Sequence, residues 1–554
     1  MTPPTPETHS DRAPRSTVQR ARREAPWLLG VVASTVLMGL RVGAFQPHAS
    51  PSGADWWEYR LCAHVLQHPE YAHYYPPWRP TVYPYLLGLL GEPLGYPWAA
   101  ELLASGSAVL MLLGAALAAR ALAGPWAGAV AALGVALLPT LSPGSHWTNP
   151  YPLMGALVAL GIAAALAAQR WPRWPWVATA GLITGLGWAA DNRGIMLAPL
   201  TLALVALGPV GSLRSTWKTR AALLLLALAT MAPGKALERA VAVKQAAGMF
   251  DNAAAAVDPG KVVPPMNLGE PPKGATPKPP PPPTPGSDQP AWRRVLDQGS
   301  AALAGRRIQG HMIEQRSLPP LTLCWLPLLA LLPGRRGWRG SLAALVVLGF
   351  TLVQVLVPAW LTDFGARYAY FFLAPVVVLV TAAPFRLVDS VAGRLPRWLQ
   401  RAGAGLAALA LVLVLWGRRP PQDFLFFPED RAIQQLDVFF ADQLAPGDRW
   451  MECGVLGAET HWYPRLMHDG DLNPYGADWE LCRAYVAEPP APGERRWLVS
   501  VANLTQATPE APGLPFSSSI PDPAGLSWQE RHRFRLGPET PEVIVWSQEH
   551  SDRP

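Results

Sequence analysis

The stretch Trp27–Phe45, WLLGVVASTVLMGLRVGAF, carries a single charge, Arg41. At about 1.5 Å per residue a helix of this length crosses most of the roughly 30 Å hydrocarbon core of a bilayer. A basic cluster, Arg12, Arg15, Arg20, Arg22 and Arg23, stands before it in the manner of a signal peptide. No small-residue cleavage site ends the run and many more apolar runs follow, so it reads as an uncleaved first helix. The further runs lie at about 97–119, 125–142, 151–168, 175–190, 194–210, 221–235, 318–333, 340–361, 368–384 and 403–417, which predicts about eleven transmembrane helices.

Composition agrees. Of 554 residues half are apolar and 15% are charged, where soluble domains carry about 25% charged residues. Soluble, disordered and fibrous classes are excluded for the bulk of the chain. The net charge of +7 does not by itself point to nucleic acid: only six of the 46 basic residues are lysine, an arginine bias of the kind that a GC-rich bacterial genome gives. Four cysteines exclude a disulfide scaffold; Cys453 and Cys482 lie in the C-terminal tail and could pair, Cys62 is in an early loop and Cys324 within an apolar run.

Lys and Arg in short loops set orientation. With the N-terminus inside, every inner connector is basic: Arg120; Arg170 and Arg173; Arg214, Lys218 and Arg220; Arg335, Arg336 and Arg339; Arg386, Arg394, Arg397 and Arg401. The short outer segments hold only Arg193 and Arg367. The expected organisation is a cytoplasmic N-terminus 1–25, a transmembrane domain 26–417 and a periplasmic α/β domain 418–554 of a bacterial inner-membrane protein. In the tail, RAIQQLDVFFADQL has helical periodicity, and RWLVSVANL and PEVIVWSQEH read as strands. Two outer segments are long. Residues 46–96 include TVYPYLLGLL (81–90), too short to span and read as an interfacial helix. Residues 238–317 contain a Pro-rich run, 259–286, that cannot build a core.

Ionisable groups near membrane depth are expensive, so those on the outer side are the first candidates for function. They are Arg41, Arg60, Arg79, Arg193 and Arg367; guanidinium forks at converging helix ends suit a phosphate, and snorkelling to headgroups is the bland alternative. Asp55 and Glu58 share one face if their segment is helical. Asp55 reads either as a general base or as the cap of a helix starting at Trp56. His48, His64, His68, His73 and Glu70 cluster in the same loop with irregular spacing, which leaves a divalent metal open without assuring one. The loop's Trp and Tyr fit an interfacial belt better than a sugar-stacking surface.

The order of motifs resembles a known family. Asp55–Leu66, DWWEYRLCAHVL, followed by Trp78–Leu90, WRPTVYPYLLGLL, is similar to the first-loop pattern of GT-C glycosyltransferases, in the branch of protein O-mannosyltransferases and lipid A aminoarabinose transferase. Gly185–Leu200, GLGWAADNRGIMLAPL, resembles the family's Thr-Arg-Pro helix pair, and Phe364–Leu379, FGARYAYFFLAPVVVL, its Arg-Tyr helix start. The resemblance covers about residues 28–385. It implies an inverting transfer of a sugar from a polyprenyl-phosphate donor lipid to a hydroxyl of an envelope glycan, lipid or protein. Asp55 would be the base, Glu58 a supporting acid, and Arg41, Arg79, Arg193 and Arg367 the holders of the donor phosphate. Tyr59, Tyr83, Asn149 and Tyr368 would line the substrate.

The chain departs from that pattern in three places: Asn149 replaces an acid, Asn192-Arg193-Gly194 replaces Thr-Arg-Pro, and Trp56 and Trp57 separate Asp55 from Glu58. These put metal requirement and donor identity in question. A non-catalytic transporter or assembly factor for surface polysaccharide is the rival reading, disfavoured because a transporter would bury such charges near the midplane.

Overall fold

A computed structural model of the 554-residue chain describes residues 17–44, 80–138, 150–170, 174–207, 218–234, 326–333, 338–360, 370–391, 396–416, 448–453, 479–501, 527–535 and 542–549, with shorter pieces at 59, 62–63, 66–67, 236, 293, 436, 439–440 and 442–445. The chain is mostly helical. The helices are α1 (Thr17–Ala44), α2 (Val82–Leu94), α3 (Tyr96–Ala123), α4 (Pro125–Ala136), α5 (Tyr151–Arg170) and α6 (Trp174–Ala190). A 3-10 turn, Asn192–Met196, leads into α7 (Leu197–Ala206), and residues 218–234 form α8. The set closes with α9 (Leu326–Leu329), α10 (Trp338–Trp360), α11 (Tyr370–Val391) and α12 (Arg397–Trp416). Helix is present in each of the eleven apolar runs. Among the described residues, four helical stretches are long and apolar enough to cross a membrane: Glu24–Gly43, Trp98–Ala123, Tyr151–Arg170 and Tyr370–Val391.

Small residues decide how the helices meet, because in apolar surroundings close backbone approach is what rewards association. A Cβ on Gly30 would stand 2.5 Å from that of Ala129, and one on Gly114 2.6 Å from the Ala159 carbonyl carbon. One on Gly185 would run into the Met231 carbonyl oxygen. These contacts also fix direction. α1 runs parallel to α4, with Gly30 on Ala129 and Arg41 reaching Leu137; α3 runs parallel to α5, with Gly114 on Ala159 and Met111 on Gly155. α6 runs antiparallel to α7, pairing Gly187 with Leu197 and Thr184 with Thr201, and parallel to α8.

The bundle therefore has two distinct ends. At the basic end Arg120 pairs with Glu24 at 2.7 Å, and Gln169 Nε2 donates to the Arg339 carbonyl at 3.3 Å. Exposed tryptophans, Trp126, Trp174, Trp338 and Trp398, open the helices that start there, and Trp98 stands at the other end. Along α1, Leu28, Leu29, Val32, Val36 and Leu40 face outward in a stripe of helical period. Such an apolar exterior between aromatic girdles suits a bilayer. The run expected at 368–384 is longer than its apolar stretch: α11 continues to Val391 and carries Arg386, read above as a loop arginine, inside the helix and buried.

The tail forms a four-stranded sheet of order β1-β2-β4-β3, from β1 (Arg449–Cys453), β2 (Arg495–Val501), β3 (Gln529–Arg535) and β4 (Glu542–Glu549). β1 and β2 pair in parallel, with α13 (Trp479–Ala487) between them in sequence, and the other pairs are antiparallel. β2 and β4 are the two strands expected from sequence; β1, β3 and α13 add to them. The side chains of Cys453 and Cys482 lie outside the described residues.

Candidate functional site

Of the candidate residues, Tyr59, Tyr83, Arg41 and Arg193 are described; Asp55, Glu58, Arg79, Asn149, Arg367 and Tyr368 lie outside the described residues, as do Arg60 and the histidine cluster with Glu70. Tyr59, Cys62, Ala63, Leu66 and Gln67 are helical, a spacing that turns one stripe onto α2. Gly88 of α2 makes room for it, since a Cβ there would meet the Ala63 carbonyl oxygen at 2.8 Å and Gln67 Nε2 at 2.6 Å. Tyr59 and Tyr83 are buried and meet edge to face, 5.5 Å between ring centroids at 86°. Leu87, Tyr96, Ala99 and Ala100 complete the cluster, and Leu153 near the start of α5 packs against it. Pro84 and Pro93 sit in α2's first and last turns, and Tyr96 Oη donates to Glu92 Oε1 at 2.9 Å across the break between α2 and α3. The described residues between Tyr59 and Gln67 are thus anchored on the helices at the end opposite the basic one. Cys62 in this anchor is fully buried.

Arg193 stands in the 3-10 turn joining α6 to α7 at that same end. Asp191 shapes the turn: its Oδ1 accepts the Arg193 backbone N–H at 2.8 Å, and its carbonyl accepts the Gly194 N–H at 2.8 Å. Gly194 is pressed onto the Gly187 backbone, where a Cβ would collide with the carbonyl oxygen. The replacement of proline by Gly194 thus has a steric reason: this turn is wound too tightly on α6 for any side chain. Asp191 is absent from the sequence-based candidates, although an Asx residue two before an arginine at a helix break is a local capping signal.

Arg41 closes the ring of helix ends differently. Its Nη1 donates to the Leu137 carbonyl at 3.2 Å, tying the last turn of α1 to the end of α4. That bond ties Arg41 into the bundle. Tyr370, at the start of α11, is buried against Gly155 of α5, whose Cβ would lie 3.3 Å from the Tyr370 carbonyl oxygen. Residues 364–369, which carry Arg367 and Tyr368, lead directly into this helix start. Among the described residues no three His, Cys, Asp or Glu side chains gather as a metal would require.

No family model matches the sequence, and no curated protein matches it in sequence. Solved structures do match in fold. ArnT from Cupriavidus metallidurans bound to undecaprenyl phosphate superposes with a TM-score of 0.55 at 13% identity, over 94% of this chain and 97% of that one. The same protein in the apo state gives 0.53 at 12% identity over the same shares. The oligosaccharyltransferase of Archaeoglobus fulgidus tethered with an acceptor peptide gives 0.44 at 14% identity over 87% and 70%. Nearly end to end, helices and tail together, this chain has the fold of ArnT, the GT-C fold that its motifs resemble.

Proposed function

We propose that the chain is a membrane-embedded glycosyltransferase that moves a sugar from a polyprenyl-phosphate donor to an acceptor hydroxyl at the outer face of a bacterial inner membrane, with inversion. The observation that carries this reading is the match of the whole chain to a protein bound to undecaprenyl phosphate. Eleven spans, the N-terminus inside and the tail outside complete the proposed topology, supported by the basic connectors and by helix directions that alternate as spans must. The end opposite the basic one is then the outer face, and Arg41, Arg193 and the Tyr59–Tyr83 anchor belong to it.

In this mechanism Asp55, four residues before Tyr59, takes the proton of the acceptor hydroxyl as it attacks the anomeric carbon. Glu58 supports it. Arg193 and Arg367, with Arg79 and Arg41, hold the donor phosphate and stabilise the charge that grows on it as the glycosidic bond breaks. Tyr59, Tyr83, Asn149 and Tyr368 line the substrate. The test is transfer from a labelled polyprenyl-phosphate sugar in membranes. Asp55→Asn keeps shape and capping ability but cannot take a proton at neutral pH, so it should abolish transfer and leave donor binding intact. Arg193→Ala and Arg367→Ala should each weaken donor binding by about 1.5 to 3 kcal/mol, and Glu58→Gln should cost less than Asp55→Asn. Wild-type turnover in Asp55→Asn would remove the base; full donor affinity in both arginine variants would move the phosphate site.

A further inference from the structure

The basic end of the bundle holds a buried arginine whose hydrogen-bonding capacity is only partly used. Arg386, in the second half of α11, is 2% exposed and among the largest fully buried side chains. Its Nε and Nη2 are buried with no hydrogen-bond partner among the described residues. Gly340, in the first turn of α10, lies flat against the guanidinium: a Cβ there would stand 2.9 Å from Nη1 and collide with Nη2. The neighbouring Ser341 also buries its Oγ without a partner.

The charge of Asp389, one turn along α11, acts on this arginine, but no hydrogen bond reaches Nε or Nη2. Residues 170–173, 207–220 and 333–341 contain no Asp or Glu, and 386–401 contain only Asp389, which is exposed. The same connectors around α10, α11 and α12 carry Arg335, Arg336, Arg339, Arg394, Arg397 and Arg401. A buried guanidinium with unmet donors costs several kcal/mol, and in a field this positive only an anion from outside the chain repays it. Phosphate oxygens suit the fork geometry, as carboxylates do. Depth favours a lipid as their source. Trp338 and Trp398, at 63% and 71% exposure, open α10 and α12 beside Gly340 and Gln400 and mark the level where headgroups lie. Basic pockets between helix ends at that level hold lipid phosphates.

We propose that Arg386, with Ser341 and the cradle left by Gly340, binds the headgroup phosphate of an anionic phospholipid at the end of the bundle opposite the candidate transfer site. The site stands on these residues alone and does not rest on the glycosyltransferase reading.

The full chain, purified into nanodiscs of phosphatidylcholine with or without phosphatidylglycerol, supplies the test through its thermal midpoint and through native mass spectrometry of retained lipid. Wild type should melt higher with phosphatidylglycerol and keep that lipid as an adduct, and inorganic phosphate added to phosphatidylcholine discs should give no rise. Arg386→Gln should abolish the rise and cut retained phosphatidylglycerol by about tenfold or more. Arg401→Gln, an exposed arginine at the same end, should leave both unchanged. If Arg386→Gln does not accumulate, Gly340→Ala decides, because it displaces the guanidinium without altering charge and should lose the rise. A wild type indifferent to phosphatidylglycerol, or a rise that survives Arg386→Gln or Gly340→Ala, overturns the site. A full rise with inorganic phosphate alone overturns the lipid as its source.

Discussion

Inside the bundle, Gly185 touches the backbone of Met231 and Gly114 that of Ala159, whereas in the tail sheet Asp448 takes hydrogen bonds from Arg495 Nε, Arg495 Nη2 and Trp497 Nε1 at 3.0, 2.8 and 2.9 Å. The tail adds Arg496, fully buried, which pairs with Glu488 at 2.8 Å and lies 3.9 Å over the Tyr485 ring. The difference follows from the surroundings each region is built for. Among apolar helices there is little to gain by moving a leucine from lipid into protein, so shape and backbone proximity hold the bundle. The sheet is small, so charged hydrogen bonds from β2 supplement the core that Trp450, Trp497 and Trp528 build with their neighbours.

The comparison breaks most severely at Gly185. Gly185→Leu places a side chain where even a Cβ meets carbonyl oxygen, and neither helix can retreat without losing the contacts of Gly181 and Gly234 with the same partner. Overpacking a side-chain contact costs about 1 to 3 kcal/mol, and a backbone contact cannot relax by changing rotamer. The expected outcome is loss of monodisperse protein on gel filtration; a wild-type elution profile and melting temperature would show that α6 and α8 are not held by this contact.

Asp448→Ala probes the other region and should cost less, about 1 to 3 kcal/mol. It leaves the buried Trp497 Nε1 without its acceptor, while Arg495, partly exposed, finds water. Faster amide exchange confined to β1 and β2, with the bundle unchanged, is the measurement. Exchange rising in the helices as well would mean that the two regions do not melt separately.

These contrasts also explain what the sequence could reveal. The eleven apolar runs announced helices because length and hydropathy are local properties, and Tyr96–Ala123 lies within a few residues of the run read at 97–119. β3, QERHRFR, escaped because it is an edge strand whose charges face water and whose pairing is supplied by β4 alone. β1 is five residues long and exists only against β2. Arg41 was legible as an outer arginine, yet its bond to Leu137 joins residues 96 apart and has no sequence signature. Arg386 looked like one more positive-inside arginine, since nothing in its neighbours tells that α11 carries on past the apolar run.

A smaller effect is expected where the bundle does use a polar contact. Thr184 and Thr201 hydroxyls meet at 2.8 Å, fully buried between α6 and α7. Thr184→Val keeps the shape, and the Thr201 hydroxyl can turn to a carbonyl of its own helix. The cost should be about 0.6 kcal/mol, read as a small shift in melting temperature. A loss of several kcal/mol would mean that hydrogen bonding, and not close packing, holds these helices.

The smallest effect belongs to the tail's surface. Arg533 bridges Glu530, at 2.6 Å, and Glu542, also at 2.6 Å, on the exposed side of β3. The hydrogen bond from Arg533 is the main cause holding the Glu530 carboxyl below its ordinary value, against a slight upward push from burial. A carboxylate with a depressed folded value stabilises the fold above its unfolded value and loses that contribution as pH falls through the folded one. At neutral pH the contribution of Glu530 is therefore whole, and it fades only below the ordinary glutamate range. Exposure and salt screening keep it small, within about 1 kcal/mol at most. Glu530→Gln should make exchange of the β3–β4 amides slightly faster at neutral pH and low salt, and the difference from wild type should vanish both at acid pH and in molar salt. A difference that persists in high salt would show that Glu530 acts by packing, and the charge-built character ascribed to this sheet would then stop at the Asp448 side.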